Sequence, residues 1–412
     1  NDEDVSKHLY NLTRSFNRKY KSGFYRNDIR YPEIGGDQLM EINYTSGTTG
    51  FSKGVMITGN NICGNLIYGI NSGLCHKGSR HLSFLPLAHA YGCAFDMLCP
   101  LAAGSHITLL GRIPSPKILV KAMGEVKPSL VICVPLVLEK IYSKMIVPMI
   151  SKGMLRWALA VPFLDNKIYA QIRKKLIEAF GGEFEEIIVG GAAFNAEVED
   201  FLLKIKFPFT VGYGMTECAP LVSHMPWSEF VPHSAGRVLP GIMECKILSD
   251  DPENIPGEIC VRGENVMQGY FHNEEATKAV LEPDGWLHTG DMGTLSADGT
   301  ISIRGRLKTM LLSSNGQNIY PEEIEAKLNN MLYVNESLVV DRDGKLIALV
   351  YPDYEAMDQL GVTPQQLPEQ MDKVKTELNK LVAPYERIAK IELVPQEFEK
   401  TPKKSIKRYL YR

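Results

Sequence analysis

The pattern of hydrophobic and polar positions divides the chain into three stretches. In the first, short apolar runs alternate with amphipathic segments, which predicts strands separated by helices. The predicted strands are 40–44, 81–85, 105–109, 130–134, 186–189 and 209–211, and the predicted helices are 60–71, 135–147 and 166–180. A helix and a linker are expected before residue 40. Strands that alternate with helices indicate an α/β fold with a largely parallel sheet.

The pattern of apolar and polar positions changes near residue 236 and again near residue 306. Short alternating segments with glycine and proline between them predict a β-rich subdomain over about 236–305. Its clearest signal is Asp298-Gly299, a turn dipeptide between two strand-like runs. The last hundred or so residues have the size of a small α+β domain. The predicted domains are therefore 1–305 and 306–412.

Composition and charge exclude several classes of protein. The 412 residues are 44% hydrophobic and 23% charged, as in ordinary globular proteins. Lysine and arginine number 45 against 48 acidic residues, a net charge of −3 that argues against a nucleic-acid partner. The eight cysteines are scattered without CxxC spacing, which favours reduced thiols in a cytoplasmic protein. The chain begins with Asn1, so we expect its natural start to be missing.

The segment 44–54, YTSGTTGFSKG, contains the most informative chemistry. A strand leads into small and hydroxyl-bearing residues, whose N–H and O–H groups can surround phosphate oxygens, and Lys53 adds a positive charge. Because Gly54 follows Lys53, the segment is not a Walker A loop. Composition alone leaves a flexible surface loop equally open.

The segment resembles the signature YTSGTTGxPKG of the adenylate-forming (AMP-binding) superfamily, with Ser52 in place of the usual proline. Five further segments resemble motifs of that family in the same order: PLAHAYG at 86–92, GGAA at 190–193, GYGMTE at 212–217, GWLHTGD at 285–291 and GRLK at 305–308. The long-chain fatty acid–CoA ligases are the most similar branch. The resemblance implies a large N-terminal domain of layered α/β sheets with a β-rich subdomain, and a small mobile C-terminal domain.

The resemblance also implies two half-reactions, with ATP, Mg²⁺ and coenzyme A as the small molecules. A fatty acid would attack ATP to give acyl-AMP and pyrophosphate, and the thiol of coenzyme A would then displace AMP. Thr216 would contact the α-phosphate, Glu217 would hold Mg²⁺, and His89 would lie at the acyl site. The remaining ATP- or AMP-binding residues implied are Thr45, Ser46, Gly47, Thr48, Thr49, Gly50, Lys53, Gly191, Ala192, Ala193, Tyr213, Gly214, Met215, Asp291 and Arg306.

Within that set, the resemblance gives Tyr213 a place stacked on adenine and Asp291 a place at the ribose hydroxyls. Arg306 would reach the ribose or a phosphate from the hinge, whose pivot would be Lys308. The family's tail lysine falls on Ser405 here, and we expect the neighbouring Lys404 to take its role because a neutral hydroxyl supplies no charge.

Several alternatives stay open at this point. The acceptor could be the phosphopantetheine of a carrier protein, and Ser405 with the short start is also consistent with a homologue impaired in catalysis. The basic tail is suited to phosphates or to anionic lipid at the inner face of a membrane, as a peripheral contact. The oligomeric state is open between monomer and homodimer.

Overall fold

The computed structural model describes residues 2–30, 32–45, 52–111, 116–150, 164–313, 317–400 and 406–411. The chain forms two compact units, Asn1–Gln38 and Leu39–Arg412. The strands are β1 Leu39–Thr45, β2 Lys53–Thr58, β3 Arg80–Ser83, β4 His106–Leu109, β5 Leu130–Cys133, β6 Glu186–Val189, β7 Phe209–Val211, β8 Tyr213–Gly214, β9 Leu221–His224, β10 Arg237–Val238, β11 Met243–Leu248, β12 Gly257–Gly263, β13 Gly269–Tyr270, β14 Leu287–Leu295, β15 Ile301–Arg306, β16 Leu311–Leu312, β17 Asn318–Ile319, β18 Val334–Arg342, β19 Lys345–Pro352 and β20 Lys390–Leu393.

The α-helices are α1 Asp2–Lys19, α2 Gly59–Asn71, α3 Cys99–Ala103, α4 Pro116–Val126, α5 Pro135–Ile141, α6 Val147–Ile150, α7 Leu164–Ala179, α8 Ala196–Lys204, α9 Glu274–Lys278, α10 Pro321–Leu328, α11 Tyr354–Leu360 and α12 Leu367–Leu381. Wider π-helical turns occupy Gly92–Leu98 and Tyr142–Ile146, and the second interrupts the helix predicted over 135–147. No described helix is both long and apolar enough to cross a membrane.

The first unit consists of α1 and an irregular segment, as the sequence predicts. Phe16, Tyr20 and Phe24 form an aromatic cluster with ring centroids 4.8 to 5.3 Å apart. These contacts turn the chain back onto the end of its own helix.

In the second unit, β5, β6 and β7 form a parallel sheet whose strands are almost entirely buried. Continuous apolar runs such as LVIC in β5 and IIV in β6 suit strands that are covered on both faces. Helices α7 and α8 supply Ile172, Leu176, Phe201 and Leu202 to the core against this sheet. The carboxyl ends of the three strands consequently meet at one edge, where α/β folds usually bind ligands.

The first predicted strand has antiparallel neighbours. β1 pairs with β2 as a hairpin, and β2 pairs with β13, more than two hundred residues away. Among the described strands of this part of the chain, parallel pairs are confined to β3–β4 and β5–β6–β7, so the expectation of a largely parallel sheet is wrong for β1. The prediction overlooked β2, because KGVMIT continues directly from the glycine-rich loop.

The β-rich subdomain is a four-stranded antiparallel sheet in the order β11-β12-β14-β15. The Asp298-Gly299 turn joins β14 to β15 as predicted, and Gly299 adopts a φ of +85°. The C-terminal region has the sheet order β18-β19-β20, with α10 and α12 packed against it through Ile324, Leu328 and Leu378. The predicted α/β class, with a large N-terminal and a small C-terminal domain, is confirmed, whereas the boundary at 305/306 stays a prediction.

Candidate active site

The carboxyl edge of the parallel sheet carries the small-residue turn GGAA. Gly190 donates its N–H to the carbonyl of Cys133 at 3.1 Å, which extends the pairing of β5 and β6 by one residue. Gly191 then turns with a φ of +87°, a left-handed conformation that favours glycine. Gly191, Ala192 and Ala193 are all exposed. The backbone of the turn is thus accessible at the place where the sequence predicts contact with a nucleotide.

Asp291 is a buried acidic group in β14. Tyr213, which follows β7, donates its hydroxyl to Asp291 Oδ2 at 2.7 Å, and Arg306 Nε lies 2.6 Å from Oδ1. Burial raises the pKa of Asp291, and the Arg306 charge and the Tyr213 hydrogen bond oppose that rise. The three residues come from β14, β8 and β15, so folding has joined three of the predicted motifs at one carboxylate.

The next predicted group, Thr216 and Glu217, lies in a short 3-10 turn directly after β8. Thr216 is buried and Glu217 is half-buried. Tyr270 donates its hydroxyl to Glu217 Oε1 at 2.9 Å, and Lys53 Nζ lies 4.5 Å from the centre of the Tyr270 ring. Strand pairing of β13 with β2 therefore brings the lysine of the phosphate loop close to the predicted metal ligand.

The phosphate loop itself joins the two strands of a hairpin. Thr45 at the end of β1 is paired with Lys53 at the start of β2, so both predicted residues stand at its base. Ser46, Gly47, Thr48, Thr49 and Gly50 lie outside the described residues. Lys404 and Ser405 of the tail also lie outside them. The roles given to these seven residues stay predictions.

Gly214 and Met215 shape the turn between β8 and the 3-10 helix. A Cβ on Gly214 would lie 2.3 Å from the carbonyl oxygen of Pro220, closer than real atoms approach. Met215 donates its N–H to the same carbonyl at 2.8 Å. Glycine at 214 is therefore required by packing, and the backbone contact explains why a residue without a side chain occurs between Tyr213 and Thr216.

His89 lies in the segment that follows β3. Its N–H donates to the carbonyl of Pro86 at 3.0 Å, and its ring is half-buried. Tyr91, two residues on, donates to the carbonyl of Ile188 at 3.2 Å, and its ring would lie 3.2 Å from a Cβ on Gly190. Tyr91 thus joins the predicted acyl segment to the GGAA turn.

Lys308 is exposed in the turn after β15. Leu307 before it donates its N–H to the carbonyl of Gly290 at 2.9 Å, and Met310 donates to the carbonyl of Arg306 at 3.0 Å. The backbone around the predicted pivot therefore contacts the segment that carries Asp291. Whether rotation occurs there stays a prediction.

Tyr270 and Tyr91 are site residues that the sequence analysis missed. Tyr91 was inside a recognised motif, so its aromatic ring beside His89 was the signal that could have found it. Tyr270 had only the short Gly269-Tyr270 dipeptide as a signal. Its contact with Glu217 depends on the pairing of β13 with β2, and local periodicity does not show that pairing.

The site residues fit a hard cation at Glu217. Mg²⁺ is usually bound by one or two carboxylates together with substrate phosphates. Glu217 supplies one half-buried carboxylate oriented by Tyr270, and the hydroxyl of Thr216 is adjacent in sequence. Of the described residues, Glu217 therefore supplies one carboxylate that can bind a cation.

Comparison with known proteins identifies the family. The family described as AMP-binding enzyme matches residues 3–271, more than half of the chain, and the AMP-binding enzyme C-terminal domain matches residues 308–411. Long-chain-fatty-acid--CoA ligase ACSBG1 of Bos taurus is 29% identical over 340 residues, which cover 76% of this chain and 46% of that protein. FadD15 of Mycobacterium bovis, also named a long-chain-fatty-acid--CoA ligase, is 29% identical over 412 residues, covering 89% and 66%.

Solved structures show the same fold. ATP-bound MatB from Rhodopseudomonas palustris has a TM-score of 0.71 and 26% identity, and the match covers 92% of this chain and 68% of that one. O-succinylbenzoate coenzyme A synthetase MenE from Bacillus subtilis, in complex with AMP, has a TM-score of 0.71 and 24% identity, covering 92% and 70%. The chain spans about half the length of curated relatives such as ACSBG1, at 46% of the bovine protein. By its family match, its motifs and its fold, the chain belongs to the AMP-binding enzyme family.

Proposed function

We propose that this chain is part of an AMP-forming ligase that activates a carboxylic acid with ATP and transfers the acyl group to coenzyme A. The observation that supports this most strongly is the joining of Asp291, Tyr213 and Arg306 beside the carboxyl edge of the parallel sheet. The names of ACSBG1 and FadD15, and the ATP bound to MatB, point to the same reaction.

The nucleoside would lie along the sheet edge. Each oxygen of Asp291 can accept two hydrogen bonds, and Tyr213 and Arg306 each take one. One position on each oxygen is then left for a ribose hydroxyl. The Tyr213 ring would stack on adenine, and the exposed Gly191–Ala193 turn would let the base approach the backbone.

The phosphates would lie between the loop and the 3-10 turn. Lys53 and Thr45 would contact the β- and γ-phosphates from the base of the loop, together with residues 46–50, and Thr216 would donate to the α-phosphate. Glu217 would hold Mg²⁺, which when bound neutralises phosphate charge. Fixed donors and charges of this kind stabilise the charge that develops at phosphorus during acyl transfer.

The proposed acid is a medium- or long-chain fatty acid. The weakly charged segment from His81 to Phe95 and the relatives named as long-chain ligases support this choice. Each CH₂ buried in an apolar tunnel contributes roughly 0.8 kcal/mol, so activity should rise with chain length until the tunnel is filled. Coenzyme A is the proposed acceptor because the sequence between residues 290 and 321, around the hinge motif, contains no obvious insertion.

Pyrophosphate release from ATP and palmitate, with and without coenzyme A, tests the proposal. We expect release that depends on palmitate and is followed by palmitoyl-CoA when coenzyme A is present. Asp291→Ala should lower ATP affinity by about tenfold or more, because a charge-assisted contact to the ribose is lost. Asp284→Ala, at an exposed acidic position in the same subdomain, is the matched control and should bind ATP normally.

The outcomes separate the rival functions. Acyl-AMP that passes to a phosphopantetheine carrier but not to coenzyme A would favour the carrier-protein ligase. ATP binding without pyrophosphate release would favour the impaired homologue. A preference for acetate over palmitate would contradict the proposed chain length, and wild-type ATP affinity in Asp291→Ala would contradict the proposed nucleotide site.

A further inference from the structure

Asp291 lies in a bulge of the β-rich sheet. Glu258 of β12 pairs with Met292 of β14, and Cys260 pairs with His288. Only Ile259 therefore stands opposite Thr289, Gly290 and Asp291, so β14 contains two extra residues at this point. A bulge redirects side chains, and it leaves backbone groups without partners in the ladder.

Those backbone groups are bound by side chains. Glu258 Oε1 accepts the N–H of Gly290 at 3.1 Å, and Gly290 has a φ of +69°. Thr289 donates its hydroxyl to the carbonyl of Ile259 at 2.7 Å and accepts the N–H of Asp291 at 3.1 Å. The conformation that presents Asp291 to Tyr213 thus depends on the orientation of the Glu258 carboxylate.

His288 fixes that orientation. Its Nδ1 lies 3.0 Å from Glu258 Oε2, and its Nε2 lies 2.7 Å from Glu282 Oε1. Both ring nitrogens therefore face carboxylates, and these carboxylates raise the pKa of His288, with the Glu258 hydrogen bond as the largest cause. An imidazolium donates from both nitrogens and so holds Glu258 at one end and Glu282 at the other.

The neighbouring thiol of Cys260 makes a weaker contact with the same ring nitrogen. Its Sγ lies 3.6 Å from His288 Nδ1, and burial raises its pKa to about 12, so it stays protonated. Glu258, Cys260 and His288 have donor atoms within 4.8 Å of one another, which is also the composition of a metal site. The 3.0 Å separation of Nδ1 and Oε2 is that of a hydrogen bond, and it accounts for the geometry without an ion.

We propose that His288 is a positioning residue of the nucleotide site, because it holds Glu258 against the Gly290 amide and thereby locks the bulge that presents Asp291. The inference rests on the proposed function in that Asp291 binds the nucleotide. His288 itself contacts no substrate in this assignment. Its effect reaches the ribose through Glu258, Gly290 and Asp291 in turn.

Two substitutions at His288 separate the roles of its nitrogens. Asparagine places an amide N–H where Nδ1 was and can still donate to Glu258, whereas glutamine places it where Nε2 was and can donate only to Glu282. We expect His288→Asn to keep ATP affinity within about threefold and His288→Gln to lose about tenfold, as for the loss of a hydrogen bond to a charged group. Calorimetric titration with ATP measures both.

His233 provides the matched control. It also lies between two carboxylates, with Nδ1 3.6 Å from Glu199 and Nε2 3.1 Å from Asp200. His233 is in the segment between β9 and β10, and both of its partners are in α8, so none of the three residues belongs to β12 or β14. His233→Asn and His233→Gln should both leave ATP affinity unchanged. Equal ATP affinities for wild type and His288→Gln, or a larger loss of affinity in His288→Asn than in His288→Gln, would contradict the proposed role of His288.

A second measurement needs neither nucleotide nor a substituted protein. In the wild-type chain, hydrogen exchange measured over residues 287–295 should show that the Gly290 amide is protected. Free exchange of this amide would contradict the proposed role of His288. Zn²⁺ bound at one ion per chain and lost in Cys260→Ser would overturn it in favour of a metal site. Wild-type protein that binds no ATP would contradict the proposed function instead. The exchange of the Gly290 amide would then still show whether Glu258 is held against it.

Discussion

Asp96 is the only Asp, Glu, Lys or Arg between His81 and Gly111, and the fold buries it. Its Oδ2 accepts the N–H groups of Phe84 and Leu85 at 3.3 and 3.1 Å. These two residues begin the segment that leads to His89. Burial raises the pKa of Asp96 to about 7, although the two hydrogen bonds oppose the rise.

This pKa predicts a pH-dependent effect of Asp96→Asn on stability. Because the folded pKa lies above the unfolded value of 3.8, folding favours the protonated carboxyl, and that advantage is lost as pH rises from about 4 to about 7. An asparagine is never charged and its oxygen can accept both N–H groups. We therefore expect Asp96→Asn to stabilise the protein by roughly 2–4 kcal/mol more at about pH 8 than at about pH 5.

Thermal unfolding at both pH values measures the difference. Asp284→Asn, at an exposed site, is the control and should change the melting temperature equally at the two pH values. If Asp96→Asn were more destabilising at the higher pH, the ionised carboxylate would be the form that the fold requires, and this account of Asp96 would be wrong.

At the scale of elements, the described ends of the C-terminal tail are anchored to the small domain. Lys400 forms an ion pair with Glu336 and a backbone bridge with Ile406. Arg408 donates to Glu325 Oε2 of α10 at 2.7 Å and to the carbonyl of Val339 in β18 at 3.2 Å. Glu325 is buried, and burial raises its pKa, whereas the charge and hydrogen bond of Arg408 oppose that rise.

Arg408→Ala should destabilise the protein by about 3–5 kcal/mol, because it leaves the buried Glu325 carboxylate without its partner. Arg342→Ala removes an ion pair to Glu392 in which the side chains are 45% and 31% exposed, and it should cost about 1 kcal/mol or less. Denaturant unfolding measures both. Equal losses would show that the tail anchor contributes no more than a surface pair.

At the scale of the whole molecule, the prediction is a rotation about Lys308 between the two half-reactions. The tail lysine and the thiol of coenzyme A would need the same face of acyl-AMP. The small domain would therefore first present the lysine and then move to open a path for the thiol. A pivot absorbs a large backbone change in few residues. Lys308→Pro fixes φ near about −65° and should slow one half-reaction far more than the other.

Lys308→Ala is the control for that experiment, because it removes the side chain without fixing φ. Adenylation is followed by pyrophosphate release, and thioester formation by coupling of supplied acyl-AMP to coenzyme A. Equal slowing of both steps in Lys308→Pro, or the same selective loss in Lys308→Ala, would contradict rotation about this residue.

The amino-acid sequence alone predicts the type of most elements and the order of the motifs. Apolar runs, alternation and turn dipeptides are local properties, so β5 to β7, the Asp298-Gly299 turn and the helix over 60–71 could all be predicted. Motif residues such as Asp291, Tyr213 and Glu217 could be singled out for the same reason. Their order along the chain identified the family before any contact between them was known.

How these residues meet depends on contacts between distant parts of the chain. Lys53, Tyr270 and Glu217 come together through the pairing of β2 with β13, and a strand's period does not indicate which distant strand it will join. The bulge that carries Asp291 likewise appears only when β12 and β14 are paired, since it is a difference in length between two strands. Glu258 and His288 are on neighbouring strands that lie far apart in sequence. The sequence pattern consequently does not indicate that they interact.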